Sequence, residues 1–217
     1  MMELKRVLFF FNPIKWKGCW FMTANSAHHQ ERSTILYLVR HAESPYEEGR
    51  ERTRGLSRQG LADALAVKDR LLGEGIDLYI SSPYERAVRT IRDAAAFAGK
   101  EIIIEEDLRE REIGQIGRLS FQEAKQKVYG DAAFAFPGGE SSLEARHRAA
   151  QVVRKLLNEH AGKRIVIGTH CDIMTLMLGE FDPRFDYAFW ESTSMPDIYK
   201  TEWEGEALRQ VTRMWKE

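Results

Sequence analysis

The sequence predicts a three-layer α/β domain, with a mostly parallel central sheet flanked by helices. Three observations predict it. Short apolar runs rich in branched and aromatic residues alternate with helical segments, in the order βαβαβ…αβα. Two of these runs, residues 35–39 and 165–167, are continuously apolar, as strands buried on both faces are. Each run is followed by a histidine, His41 after Arg40 and His170 after Thr169. Open parallel sheets bind ligands beyond the carboxyl ends of their strands, so both histidines are expected on the functional rim.

Length and composition set the bounds. A chain of 217 residues suits one domain with a substantial core. Acidic and basic residues nearly cancel, at a net charge of −1, which argues against a nucleic-acid or membrane partner. Cys19 and Cys171 form neither a disulfide framework nor a metal-ligand spacing, so a reducing, cytoplasmic setting is expected. Residues 1–33 differ from the rest and read as a poorly ordered N-terminal arm, with the domain over residues 34–217. The apolar run 7–11 is too short for a signal peptide core and is interrupted by Asn12-Pro13. No stretch approaches the roughly twenty apolar residues of a membrane span, so stable insertion is not expected.

Along the domain, the charged loop 45–56 follows the first strand. Ser57 caps a helix whose apolar residues are Leu61, Ala64, Leu65, Leu71 and Leu72, ended by Gly73 and Gly75. A second strand covers residues 76–80. Ser82-Pro83-Tyr84-Glu85 has the form of a capping box with proline at the first helical position. Its helix buries Ala87, Ile91, Ala94 and Ala98. A third strand, 102–104, leads into the charged loop 108–114, and a helix is expected over residues 121–129. Pro137-Gly138-Gly139 makes a turn. Ser141-Ser142-Leu143-Glu144 is another capping box, opening a helix to His160 with Leu143, Ala150, Val153 and Leu157 inward. The His170 strand is followed by a helix carrying Ile173, Met174, Leu176 and Met177. Asp182-Pro183 starts a short helix, and residues 198–203 and 208–214 flank Gly205 as a closing hairpin.

The chemistry concentrates at the strand ends. Arg40 is charged at any working pH and can grip two phosphate oxygens together. His41 beside it can act as nucleophile or as acid and base. A lone histidine is ordinarily a hydrogen-bonded structural residue; two at equivalent strand ends, one next to an arginine, indicate a site. Arg86 lies in the first turns of the second helix, close to a strand end, where an anion is also favoured.

These residues resemble the histidine phosphatase superfamily, in its phosphoglycerate-mutase-like branch. Arg40-His41-Ala42-Glu43-Ser44 is similar to the signature at the end of the first strand, and Leu56-Ser57-Arg58-Gln59-Gly60 to the following helix start. Ser82-Pro83-Tyr84-Glu85-Arg86-Ala87 with Thr90, Leu108-Arg109-Glu110 with Gly114, Pro137-Gly138-Gly139-Glu140-Ser141 and Thr169-His170 match further blocks in order. Six blocks in sequence are far more specific than any one. The resemblance implies a phosphoglycerate-mutase-like fold and a phosphatase that hydrolyses phosphate monoesters through a phosphohistidine. His41 would be the nucleophile, Arg40, Arg86 and His170 the phosphate clamp, and Glu110 the proton donor. The partner implied is a small phosphorylated substrate; oligomeric state is left open. No cofactor and no metal are implied. The proposed clamp is cationic or neutral, and no carboxylate cluster accompanies it.

The chain departs from the family pattern at three places. Ala42 and Cys171 stand where glycines follow the two histidines, and Glu47 stands near a position where relatives carry an asparagine. A carboxylate at position 47 would repel a phosphate unless it turns away or pairs with a loop arginine. Glu112, two residues beyond Glu110, is expected as a solvated partner of Arg109 or Arg111. Two other functions compete: a 2,3-bisphosphoglycerate-dependent mutase and an inactive phospholigand-binding module. The mutases carry a longer insert after the acid block, with basic residues for a substrate carboxylate. Here residues 116–136 offer only Arg118, Lys125 and Lys127.

Overall fold

The computed structural model describes residues 15–16, 19–20 and 33–215. The chain divides into two units, Met1–Glu31 and Arg32–Glu217. In the first, β1 (Lys15–Trp16) pairs antiparallel with β2 (Cys19–Trp20). The expected arm over residues 1–33 otherwise lies outside the described residues.

The second unit holds one six-stranded sheet, in the order β5-β4-β6-β3-β7-β8. Its strands are β3 (Thr34–Arg40), β4 (Leu78–Ser81), β5 (Ile102–Ile104), β6 (Arg164–Thr169), β7 (Asp197–Glu204) and β8 (Ala207–Arg213). The first four run parallel, and the β7–β8 hairpin adds antiparallel to β3.

Side-chain alternation along β3 makes the layers. Leu36 and Leu38 face one core, with Ala145, Ala149 and Leu156 of α4 (Ser142–Glu159) and Met174 and Met177 of α5 (Cys171–Gly179). Tyr37 and Val39 face the other, with Val67 and Leu71 of α1 (Arg58–Leu71) and Ile91 and Ala94 of α2 (Glu85–Phe97). Both faces of β3 are covered, which is why its sequence is continuously apolar rather than alternating. Fully burying one such leucine or valine contributes roughly 1.5–3 kcal/mol, so Leu38→Ala is expected to be strongly destabilising. A smaller cluster of Ala124, Val128 and Phe136 packs under α3 (Phe121–Gly130).

The capping boxes at Ser120 and Ser141 are formed, and Ser57 caps α1 through the Gly60 amide. Gly60 is needed for a second reason. A Cβ there would lie 2.2 Å from the Glu43 carbonyl oxygen, so only glycine lets α1 press on the loop leaving β3.

Several expectations about faces and ends are corrected. Leu61, Leu65 and Leu72 are exposed, because the buried stripe of α1 runs through Gly60, Ala64, Val67 and Leu71. Leu143, in the first turn of α4, and Ala98, the C-cap of α2, are exposed. Asp182-Pro183 forms a turn, and α6 (Tyr187–Ser192) starts later, with Asp186 accepting from the Ala188 and Phe189 amides. The Ser82 box does not form. Helix α2 begins at Glu85 with no side-chain cap, and the Ser82 hydroxyl is engaged elsewhere.

Candidate active site

The parallel pairing of β3 with β6 aligns Arg40 with Thr169. The residues that follow, His41 and His170, therefore leave the sheet side by side. The His41 amide donates to the Thr169 carbonyl at 3.0 Å, and the imidazole centroids are 5.2 Å apart. On the other side of β6, the Ser82 amide donates to the Gly168 carbonyl, which sets Ser82 beside His170.

His41 is buried, and its Nδ1 lies 2.8 Å from the carbonyl oxygen of Ala42. A carbonyl only accepts, so Nδ1 carries the proton and the lone pair resides on Nε2. Burial first, then the nearby Arg86, hold the His41 pKa well below the usual histidine value, which keeps the ring neutral. His170 is fully buried and likewise depressed, by burial first and then by His41 and the arginines. Its Nε2 is 2.7 Å from Ser82 Oγ, and its Nδ1 has no protein partner.

Three guanidinium groups act on both imidazoles: Arg40, Arg86 and Arg54. Arg40 Nη1 donates to the Thr193 carbonyl, the Thr193 hydroxyl and the Ser194 carbonyl, at 3.1, 2.8 and 3.0 Å. Arg86 donates to the Glu51 carbonyl at 2.6 Å, and its Nη2 is 3.3 Å from Glu51 Oε2. Arg54 Nη1 is held by the carbonyl and hydroxyl of Ser44. The Nε atoms of Arg40 and Arg86 are buried without a hydrogen bond, whereas Arg54 Nε lies 3.3 Å from Glu51 Oε1. Buried donors are normally paired, so these N–H groups and His170 Nδ1 suit an anion with several oxygens. Arg54 was not singled out by the sequence, where it was one arginine among several in a charged loop; its place directly before Gly55-Leu56-Ser57 was the available signal.

Glu110 stands at the start of α5. Its Oε1 accepts from the Ile173 amide at 2.9 Å and the Arg111 amide at 3.0 Å, and its Oε2 from the Asp172 amide at 3.2 Å. Desolvation, and then the Asp172 carboxylate, raise its pKa above the usual range for glutamate. Its loop is fixed by two glycines. Gly114 has φ +81°, and a Cβ on Gly139 would meet the Ile113 carbonyl oxygen at 2.4 Å, so the acid loop and the Pro137-Gly138-Gly139 turn lock together. Glu112 is exposed as expected, but the proposed partners differ. Arg109 pairs with Asp107 and Glu140, while Arg111 is buried against Asp172.

The three departures are accommodated. Ala42 is buried, with its amide donating to Thr90 Oγ1. Glu47 pairs with Arg50 at the surface, 2.7 Å apart. Cys171 Sγ lies 3.0 Å from Thr193 Oγ1, and burial pushes its thiol up to about 11. A separate cavity of 380 Å³, lined by Tyr129, Arg146, Phe185 and Tyr187 among others, contains none of the histidines or the arginines around them. Among the described residues no group of three or more His, Cys, Asp or Glu side chains is arranged to hold a metal ion, and no helix is long and apolar enough to cross a membrane.

Residues 36–215 match the family model of the histidine phosphatase superfamily, branch 1. The chain belongs to the histidine phosphatase superfamily. Among curated superfamily relatives, it is 34% identical over 152 residues to phosphoglycerate mutase-like protein 4 of Arabidopsis thaliana. That match covers 62% of this chain and 65% of the relative, just under two thirds of the latter's length. Among solved structures, a mycobacterial glucosyl-3-phosphoglycerate phosphatase superposes with a TM-score of 0.67 at 21% identity, covering 84% of this chain and 97% of the other. A variant of the phosphoserine phosphatase of Entamoeba histolytica bound to phosphoserine gives 0.67 at 20%, covering 82% and 96%. These likenesses confirm the α/β phosphoglycerate-mutase-like fold of this chain.

Proposed function

We propose that this histidine phosphatase hydrolyses phosphate monoesters through a phosphohistidine on His41. The observation that carries the reading is the hydrogen bond from His41 Nδ1 to its neighbour's carbonyl, which leaves a neutral ring with its Nε2 lone pair available among three arginines and a second histidine. Phosphoryl transfer needs chiefly alignment and cancellation of charge on the equatorial oxygens. Arg40, Arg86 and His170 supply both, and Arg54 adds charge. The His41 Nε2 lone pair bonds to phosphorus as the ester P–O bond breaks, and Glu110 gives its proton to the leaving oxygen. Water then attacks the phosphohistidine, its proton passes to Glu110, the P–N bond breaks and phosphate departs. The raised Glu110 pKa supports the first step, since the group must begin protonated. A reducing, cytoplasmic setting belongs to the same proposal.

A mutase is the second reading, favoured by the name of the curated relative. Against it, Lys125 is buried on Asp172 and Lys127 lies over the Phe134 ring, so two of the three basic residues between the acid block and the glycine turn are committed within the protein.

The deciding experiment is acid quenching of enzyme mixed with labelled phosphate ester, with His41→Ala as control. Label on the His41 peptide, labile in acid and stable in alkali, together with released phosphate, is the expected result. Label on His170 or on serine overturns the assignment, and transfer between hydroxyls without release identifies a mutase.

A further inference from the structure

Behind Glu110 lies a buried charge cluster that the reaction above does not use. The Asp172 carboxylate is fully buried. Its Oδ2 accepts from Arg111 Nε at 2.6 Å and from Lys125 Nζ, and its Oδ1 from the Tyr129 hydroxyl at 2.6 Å. Arg111 also donates to Ser142 Oγ, which in turn donates to the Val128 carbonyl. Residues from the acid loop and α3 thus meet on one carboxylate of α5, and Ser142 of α4 steadies Arg111 behind it. The Asp172 amide is itself a donor to Glu110, so whatever fixes Asp172 fixes the cleft acid.

Burying a carboxylate demands compensation, and Arg111 alone provides one full counter-charge. Lys125 is a second cation on the same group, and it too is buried, with Phe121 and Trp190 rings 5.1 and 5.7 Å from its Nζ. With Glu110 protonated, Arg111, Lys125, Asp172 and Glu110 sum to one excess positive charge. With Glu110 ionised, they sum to zero. We infer that Lys125 is a positioning residue for the cleft acid: acting across Asp172, it supplies the counter-charge against which Glu110 ionises, so that one carboxyl serves first as acid and then as base.

This rests on the phosphatase reading for its consequence, and on the geometry for the coupling itself. Glu110 faces other groups as well: Tyr84 and Arg86 at the start of α2, and Cys171 and Asp172 on α5, while Tyr129 of α3 reaches only Asp172. Asp172 opposes ionisation and Lys125 favours it. Arg86 would be largely neutralised by a bound phosphate and Arg111 is matched by Asp172, which leaves the Lys125 charge uncancelled.

The test is carbon NMR titration of the Glu110 carboxyl, assigned with Glu110→Gln, in wild type and in Lys125→Met. Loss of the ammonium should raise the titration midpoint by roughly one pH unit or more. Lys125→Arg should restore it. The alkaline limb of kcat/KM for an alkyl phosphate should move up by the same interval. Should Lys125→Met fail to fold, Lys125→Gln keeps a donor to Asp172 while removing the charge, and gives the same test. An unmoved midpoint in the neutral variants overturns the inference. A moved midpoint in a protein that releases no phosphate supports the coupling and overturns the phosphatase reading instead.

Discussion

Ser82 Oγ and His170 Nε2 lie 2.7 Å apart, and this contact replaces a helix cap. The same hydroxyl accepts from the Tyr84 amide at 3.3 Å and keeps its one proton available to donate to His170. A ring that accepts at Nε2 carries its hydrogen on Nδ1, the nitrogen left without a protein partner. Ser82 is expected to donate to Nε2 and so to fix the hydrogen of His170 on Nδ1. Ser82→Ala removes that control and unpairs a buried nitrogen. Losing such a partner costs about 1–3 kcal/mol of stability, and kcat/KM should fall as well because part of the His170 population takes the wrong tautomer. Nitrogen NMR of the His170 ring should show the Nδ1–H tautomer in wild type and a mixture in the variant. An unchanged tautomer in Ser82→Ala would remove the argument.

The two depressed histidines also tie stability to pH. In the folded protein His41 and His170 stay neutral below the pH at which unfolded histidines protonate. Below about pH 6.5 the unfolded chain therefore binds protons that the folded chain refuses, and stability falls as pH drops; above it these groups contribute no slope. Each histidine adds up to about 1.4 kcal/mol of destabilisation per pH unit in that window. Urea unfolding at pH 7, 6 and 5 should show the loss, and His170→Gln should flatten it. Equal slopes in the variant and wild type would contradict the burial argument.

Cys171 should be dispensable. Its thiol is buried against Thr193, and a pKa pushed up to about 11 leaves almost no thiolate at pH 7. Iodoacetamide should leave Cys171 unmodified in the native protein and modify it in urea. Cys171→Gly should retain activity, and near-complete loss with an intact fold would show that the side chain matters.

The fold and most of the rim were legible because the signals were local. Residues 35–39 and 165–167 could only be doubly buried strands, and their histidines follow directly. Register then did the rest, by aligning Arg40 with Thr169. Ser82 was misread because a capping box and a site serine followed by proline look alike; only β6, more than eighty positions away, decides between them. Asp172 was invisible, and Lys125 stood only among the basic candidates for a substrate carboxylate, for a related reason. A lysine on a charged helix is ordinarily solvated, and nothing near it in the chain announces a buried carboxylate. The α1 stripe was half right: Ala64 and Leu71 are buried as expected, but the close approach of Gly60 to Glu43 puts Gly60 and Val67 on the inner face and leaves Leu61, Leu65 and Leu72 outside.

The final prediction concerns the loop between β3 and α1. Glu51 places its carboxylate 3.3 Å from Arg86 and within 3.4 Å of Arg54, the arginines proposed to meet the phosphate. A carboxylate there competes for the same guanidinium groups as a phosphate oxygen. Glu51 is half exposed, so solvent screens the attraction and its worth is at most about 1 kcal/mol. Glu51→Gln keeps the backbone carbonyl that accepts from Arg86 and removes the competing charge. The inhibition constant of inorganic phosphate should then fall by up to about fivefold, with a parallel fall in KM, because binding no longer displaces an anion. Glu47→Gln serves as the contrast, since Glu47 is paired with Arg50 at the surface and should change neither. Weaker phosphate binding in Glu51→Gln would mean that the carboxylate instead holds Arg86 and Arg54 in place for the substrate.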